Sequence, residues 1–364
     1  MCIGRIIMKK IAIVGTQGVP AQYGGFESLV ENLISEYKSQ DVAYTVFCSA
    51  RDYTVRRSTY KGARLKYIPF LHANGVESIL YDILSLLCCI RNFDTVLVLG
   101  VSGCVFLPIF RLLYHGRLIV NIDGLEHKRA KWGGFARWFL KLSEAVAVRY
   151  ADVVISDNQC IQDYVTETYH QPSVLIAYGG DHVLRNVSEE KQLQILRDYQ
   201  LENRQYALSI CRIEPENNCH VTLEAFAENG QPLLFIGNLS SSKYGRNLKE
   251  RYKDRRNIIL MDSIYDLDIL YTLRKNCRMY IHGHSAGGTN PSLVEAMFFG
   301  RPILAYDVAY NRESTHGAAR YYKTSGELEA LCREEDLDGD QVLQIAYDHY
   351  LWQKIIRQYE ALFA

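Results

Sequence analysis

Short runs of β-branched and aliphatic residues alternate with longer amphipathic segments along the whole chain. That rhythm predicts parallel strands joined by crossover helices. In the first half the runs predict strands near 10–14, 43–48, 64–69, 95–99, 117–121, 152–156 and 173–177. The scheme returns near 206–211, 232–236, 257–261, 277–281 and 302–306. Between the two sets stands IAYGGDH, residues 176 to 182, whose paired glycines precede a polar helix and mark a hinge. The pattern therefore predicts an α/β protein with two doubly wound domains, over residues 1–181 and 182–340. A tail over 341–364 is predicted as one helix from about 341 to 361, available to pack back on the first domain. No repeat of solenoid period and no low-complexity tract interrupts this reading. Ligands of such sheets bind beyond the carboxyl ends of the strands, so the site is expected in a central cleft that the two domains face.

Composition narrows the class. The chain has 364 residues, 48% of them hydrophobic, enough for two packed cores. Its 41 basic and 41 acidic residues cancel, which argues against a general nucleic-acid binder. One stretch is locally basic: Arg51, Arg56, Arg57, Lys61, Arg64 and Lys66 face only Asp52. It reads equally as a solvated loop or as a contact for an anionic surface. The ten cysteines include no C-x-x-C, and Cys48, Cys104, Cys211 and Cys277 sit in or beside apolar runs. Reduced, buried thiols and a cytoplasmic setting are expected. MCIGRIIMKK carries no evident signal peptide. The longest uncharged run, Thr95 to Phe110, is broken by Gly100, Gly103 and Pro108 and is too short to span a bilayer as a helix.

Two glycine-bearing stretches carry the chemistry. KIAIVGTQGVPAQYGGFE, residues 10 to 27, ends a strand at Gly15 and adds Gly18, Gly24 and Gly25. Such loops let backbone N–H groups approach a phosphate, but the spacing is not G-x-G-x-x-G, which disfavours a nicotinamide dehydrogenase. YIHGHSAGGTNPSLVEAMFFGRPILAYD, residues 280 to 307, follows a strand with Gly287 and Gly288, and then Thr289, Asn290 and Pro291 open a helix. Free N–H groups there make an anion site. Glu295, one turn in, can accept two hydrogen bonds from a vicinal diol such as a ribose.

This second stretch resembles the nucleotide-sugar site of GT-B glycosyltransferases of the retaining group called family 4. Within that group it is most similar to bacterial rhamnosyltransferases of capsule and cell-surface polysaccharides. GTQGVPAQYGGFE, NIDGLEHKRAKW (121 to 132), IAYGGDH and SICRIEPENN (209 to 218) resemble the same subgroup, so the likeness spans most of the chain. It implies the GT-B fold of two Rossmann-like domains, the first binding acceptor and the second binding a dTDP- or UDP-sugar. The family's Glu-x7-Glu motif puts its second Glu on the ribose, and Glu295 matches it. The first Glu position is Gly287, so the backbone of Gly287, Gly288, Thr289 and Asn290 would stand in. Arg212 matches the family's diphosphate-gripping arginine, with an ion pair to Glu214 or Glu216 as the alternative. The lysine that often accompanies it is replaced by Asn217, which leaves Lys243 and Arg246 as candidate second cations. Backbone N–H groups of Gly24 and Gly25 would close over the diphosphate. Glu27 reads alternatively as a first-turn carboxylate favourable to its helix. NIDGLEHKRAKW supplies Asp123 to orient acceptor or donor sugar, with Glu126 or His127 in support; a core-facing or capping Asp123 is the alternative.

The resemblance further implies dTDP-L-rhamnose as donor and a sugar on polyprenyl diphosphate as acceptor, with no nucleic-acid partner. Lys128, Arg129, Lys131, Trp132, Arg137 and Trp138 interleave cations with aromatics as a membrane interface does. Docking on an anionic membrane, at the inner face of the plasma membrane, is expected through Lys128 to Trp138 and the 51–66 stretch. Neither metal nor cofactor is expected. Asp266 and Asp268 read as helix capping, Asp336, Asp338 and Asp340 lack the rest of a calcium loop, and His282 with His284 lacks a third ligand. Two rivals remain open: a sugar-nucleotide epimerase of the same architecture, and a non-catalytic nucleotide-binding protein.

Overall fold

The computed structural model describes residues 8–21, 24–35, 37–69, 77–129 and 132–363. The chain forms two units, the first of residues 1–177 and 352–364 and the second of residues 178–351. The division falls inside IAYGGDH.

The first unit is built on an eight-stranded sheet. Its strands are β1 (Lys9–Val14), β2 (Val42–Ser49), β3 (Thr59–Tyr60), β4 (Ala63–Ile68), β5 (Thr95–Leu99), β6 (Arg117–Asn121), β7 (Val153–Ser156) and β8 (Val174–Leu175). They lie in the order β3-β4-β2-β1-β5-β6-β7-β8. β1 is central, with Ile11 opposite Tyr44 of β2 and Thr95 of β5, both pairs parallel. Ile11 to Val14 and all of β5 are buried, as continuous apolar strands of a sheet covered on both faces must be. The short β3, absent from the hydrophobic pattern, pairs antiparallel with β4 across Lys61 and Gly62, both at positive φ. Two residues are too few to register as a periodic run.

The second unit carries a six-stranded parallel sheet. Its strands are β9 (Ala207–Ile210), β10 (Leu233–Ile236), β11 (Ile258–Met261), β12 (Met279–His282), β13 (Ile303–Tyr306) and β14 (Arg320–Tyr322). The order is β11-β10-β9-β12-β13-β14. Leu208 faces Leu234 on one side and Tyr280 on the other. Leu223, Phe226, Phe235, Ile281 and Leu328 form the centre of one packed core. Helix starts follow local chemistry: Ser188 caps the helix Glu189–Asp198, and Thr324 with Glu327 closes a capping box on Ser325–Cys332. Each chain half begins mid-sheet, winds outward, then returns to the other side of its first strand. The reversals lie between β1 and β5 and between β9 and β12, the places where open α/β sheets bind ligands.

The tail departs from the expectation of one helix. It forms two, Asp340–His349 and Trp352–Leu362. Tyr350 sends its hydroxyl to the Ser314 carbonyl (2.8 Å), and its own carbonyl accepts from Gly180 N–H (2.9 Å), so the first helix is fixed in the second unit. The last helix belongs to the first unit. There Tyr359 accepts from Asn121 Nδ2 (2.8 Å), Phe363 meets the Tyr44 ring edge-on, and Lys9 Nζ donates to the Phe363 carbonyl (2.9 Å).

Candidate functional site

In the second unit, the loops after β9 and β12 meet at the switch point. The Ser285 N–H and hydroxyl both donate to the Glu216 carbonyl (2.9 and 2.7 Å), and Asn218 Nδ2 donates to the Gly283 carbonyl (2.9 Å). Gly283 lies so close to Asn217 that a Cβ would stand 2.3 Å from its carbonyl oxygen. Asn217, which occupies the family's lysine position, is buried and donates to the Arg212 carbonyl (2.7 Å). It shapes the turn and leaves the Arg212 side chain exposed. Among the described residues the Arg212 guanidinium forms no ion pair, so the alternative pairing with Glu214 or Glu216 is not what the structure contains.

The 283–290 loop carries Gly287 at φ 113° with open space where a Cβ would be. Thr289 is buried, and Asn290 caps the seven-residue helix Pro291–Met297 by accepting from Ser292 N–H (3.1 Å). Lys243 and Arg246 are both exposed in the first turn of Lys243–Tyr252, beyond β10, and Arg246 Nη1 donates to the Ser240 carbonyl (2.9 Å).

Glu295 has two partners that its sequence context did not reveal. Arg274, on the helix Leu267–Asn276, is 5% exposed and bonds one carboxylate oxygen; His182 Nε2 lies 3.5 Å from the other. Burial opposes the charge on Glu295, but the Arg274 guanidinium and His182 outweigh it and hold the carboxyl below the usual carboxylate range. The acid is thus kept ionised and fixed, an acceptor ready for hydroxyl donors. His182 stood in the quoted hinge motif; Arg274 carried no signal.

In the first unit, the loops after β1 and β5 line a cleft of about 490 Å³ with Gly15, Thr16, Glu27, Ser49, Asp82, Ser102 and Trp132 among its walls. Gly15, at φ 85°, passes so close to Leu99 that no side chain fits. Glu27 does more than favour its helix. Its carboxylate accepts from the Thr16 hydroxyl (3.0 Å) and Gln17 N–H (2.9 Å), and fills the space where a Cβ on Gly24 would be. Gly24 caps the helix Gly25–Leu33 without a side-chain bond. Asp82, from the helix Glu77–Leu87, is buried against Ser102, whose hydroxyl donates to it (2.6 Å). Burial pushes its carboxyl up to about 7, although bonds from Ser102 and Gly103 favour the ionised form. Neither Asp82 nor Ser102 was legible in the sequence.

Asp123 follows β6 at φ 60°, a left-handed conformation rare outside glycine, and its N–H donates to Asn121 Oδ1 (3.0 Å). Held strain of this kind is found at functional sites. Glu126 accepts from Arg129 Nη1 (3.0 Å) and Trp132 Nε1 (3.1 Å). His127 turns away to buried Glu144 (2.9 Å), which also accepts from the Tyr164 and Tyr169 hydroxyls (2.7 and 2.6 Å). Burial works against the Glu144 charge, yet these bonds hold its carboxyl low. In this setting His127 anchors the turn that presents Glu126. Lys131 lies outside the described residues. Asp266 caps its helix, accepting from Asp268 and Ile269 N–H (2.9 and 3.0 Å).

Residues 8–181 match the model "Domain of unknown function (DUF1972)", and residues 192–328 match "Glycosyl transferases group 1". No curated protein matches the sequence. Similar solved structures include sucrose-phosphate synthase from Thermosynechococcus elongatus, at 14% identity and TM-score 0.80 over 98% of each chain. Anabaena HepE in complex with UDP-glucose has 14% identity and TM-score 0.74 over 98% of this chain and 99% of its own. A Listeria monocytogenes protein, provisionally described as a UDP-N-acetylglucosamine 2-epimerase, has 12% identity and TM-score 0.64 over 97% and 95%. The chain therefore has the GT-B fold of two Rossmann-like domains, with residues 192–328 of the second matching the group 1 glycosyl transferase model.

Proposed function

We propose that the protein transfers a sugar from a nucleotide diphosphate to a lipid-linked glycan in cell-surface or capsular polysaccharide synthesis. The donor is a dTDP- or UDP-sugar, with dTDP-L-rhamnose preferred, and the acceptor is a sugar on polyprenyl diphosphate at the cytoplasmic face of the plasma membrane. The observation that carries the reading is the presence, in one domain, of an exposed Arg212 with no ion pair among the described residues and of an ionised, fixed Glu295 at the helix after the 283–290 loop. A guanidinium fork suits a diphosphate, and a carboxylate suits a ribose diol. The group 1 domain and the UDP-glucose bound by HepE favour transfer from a nucleotide sugar.

In this reading Arg212, with Lys243 or Arg246, stabilises the departing diphosphate, and the backbone of Gly287 to Asn290 orients the sugar. Gly24 and Gly25 close over the phosphates. Asp123 and Glu126 orient acceptor or sugar, and the leaving phosphate oxygen takes the acceptor's proton on the face it leaves, with retention.

Arg212→Ala is expected to weaken dTDP-L-rhamnose and dTDP binding by about 1.5–3 kcal/mol, the scale of a charge-assisted hydrogen bond, with partial rescue by Lys. Calorimetry with dTDP- and UDP-sugars checks this; unchanged affinity in a folded variant removes Arg212 from the diphosphate. Transfer of labelled sugar to a lipid-linked acceptor separates a transferase from an epimerase or a binding protein, neither of which consumes acceptor. That transfer is expected to persist in EDTA, since cationic side chains neutralise the leaving group. Activity lost in chelator and restored by Mg²⁺ would reassign the diphosphate to a metal.

A further inference from the structure

Several exposed large apolar side chains of the first unit gather on two helices, Leu107–Leu113 and Gly134–Tyr150, which pack against each other. Leu112 is 76% exposed, Phe135 79% and Trp138 61%, with Ile109, Leu113 and Leu142 also exposed. Phe135, Trp138 and Leu142 recur at intervals of three and four, one stripe of their helix, while Leu140, Ser143, Ala147 and Val148 face the core. The Phe135 and Trp138 rings lie 5.8 Å apart. Leaving so much apolar surface exposed to water is unfavourable, so a patch of this kind implies a partner.

Charge says which partner. Arg137 and Arg149 are exposed beside the stripe. The only acidic residue on either helix is Glu144, buried under its donors. We propose that the outer face of these two helices docks on an anionic bilayer, with Leu112, Phe135 and Trp138 entering the interface and arginines meeting headgroups. A stripe of Trp, Phe and Leu flanked by cations is the composition of a helix that lies in the membrane plane. Among the described residues no helix is long and apolar enough to cross a membrane, so attachment of this kind is from the surface.

This assignment revises the segment expected from the sequence. Trp132 turns inward to Glu126 and the cleft, so the two tryptophans part company. The 51–66 stretch lies at the β3–β4 end of the sheet, across β2 and β1 from β5, and most of its six cations are engaged. Arg51 pairs with Glu77, Lys61 with Glu31, and Arg56 and Arg57 lie over Tyr67 and Tyr60. The docking face excludes it. The proposal deepens the reading of a lipid-linked acceptor, on which it rests for its purpose though not for its geometry.

Co-sedimentation with phosphatidylglycerol and phosphatidylcholine vesicles tests it. The wild type is expected to pellet with the anionic vesicles, less at high salt because the arginine part is screened. Each large side chain that leaves water is worth about tenfold in partitioning, so Leu112→Ser/Phe135→Ser/Trp138→Ser is expected to lose at least about a hundredfold. Arg56→Ser/Arg57→Ser is expected to bind as the wild type does. A triple variant that pellets like the wild type, or a wild type that pellets with neither vesicle, overturns the proposal. So does a wild-type dimer in sedimentation velocity that ignores vesicles and that the triple substitution disperses, since the face would then join two copies. Far-ultraviolet circular dichroism and a urea-unfolding transition that match the wild type establish that the triple variant is folded. Vesicle binding without any transfer to a lipid-linked acceptor would sink the transferase reading and leave the docking face standing.

Discussion

Glu295→Ala is expected to destabilise the second domain by about 3–5 kcal/mol, because it leaves Arg274 as a buried charge with its partner removed. The effect belongs to the pair and not to the carboxylate alone. Arg274→Met/Glu295→Leu, which removes both charges and keeps the volume, is expected to recover most of that loss, and urea unfolding of the two variants measures it. Additive losses in the double variant would mean that the two side chains do not act as a unit. The same pair governs the donor. With His182 also against it, the carboxylate is held on two sides, and nucleotide-sugar affinity is expected to fall by about 1.5–3 kcal/mol when Glu295 is truncated. Glu295→Gln, which keeps a hydrogen-bonding group beside Arg274, separates the two roles: a folded Gln variant with unchanged donor affinity removes Glu295 from the ribose.

The second large effect is acid sensitivity centred on His282. This side chain is 1% exposed at the end of β12, stacked on His284 with 4.5 Å between ring centroids and facing Tyr280 on the same strand. Neither of its ring nitrogens meets a hydrogen-bond partner among the described residues. Burial pushes its pKa down to about 3. The sign follows from linkage: the unfolded chain, with an imidazole near 6.5, binds the proton that the folded state refuses. Stability is therefore complete above the unfolded pKa and falls as pH drops from about 6.5 toward 3. Between pH 7.5 and 4.5 this one group is expected to remove about 2–3 kcal/mol. His282→Phe keeps a ring in the stack and abolishes the titration, so its loss over the same interval should be smaller by that amount. Equal acid sensitivity in both proteins, by thermal or urea unfolding, would place the effect elsewhere.

The twelve strands expected from hydrophobic runs are all present within two residues at either end, because buried parallel strands must be continuously apolar. What the pattern missed is short or edge-bound: β3 at two residues and β14 at three have too little length to show a period. The tail misled for another reason. Residues 340–362 are helical almost throughout, and the break at Tyr350 comes from long-range bonds to Gly180 and Ser314 that local propensity cannot contain. The donor loop and Glu295 were legible because their residue types are unusual together. Arg274 was not, since an arginine near the end of LDILYTLRKN looks like any solvated helix cation until a fold brings Glu295 to it. Asp82 and Ser102 were hidden likewise, being ordinary residues made special by burial and by 20 residues of separation.

The last helix, Trp352–Leu362, also sets an order of events. It follows the whole second unit along the chain, yet Trp352, Ile355, Ile356 and Tyr359 are buried in the first unit. Domains usually finish in the order they are made. Here the second can complete its core while the first still waits for its closing piece, exposing around Asn121 and Tyr44 the apolar surface that the helix will cover. A nascent chain stalled before residue 352 thus carries a half-finished first domain and a finished second one, and a frameshift after residue 351 would damage the unit encoded first.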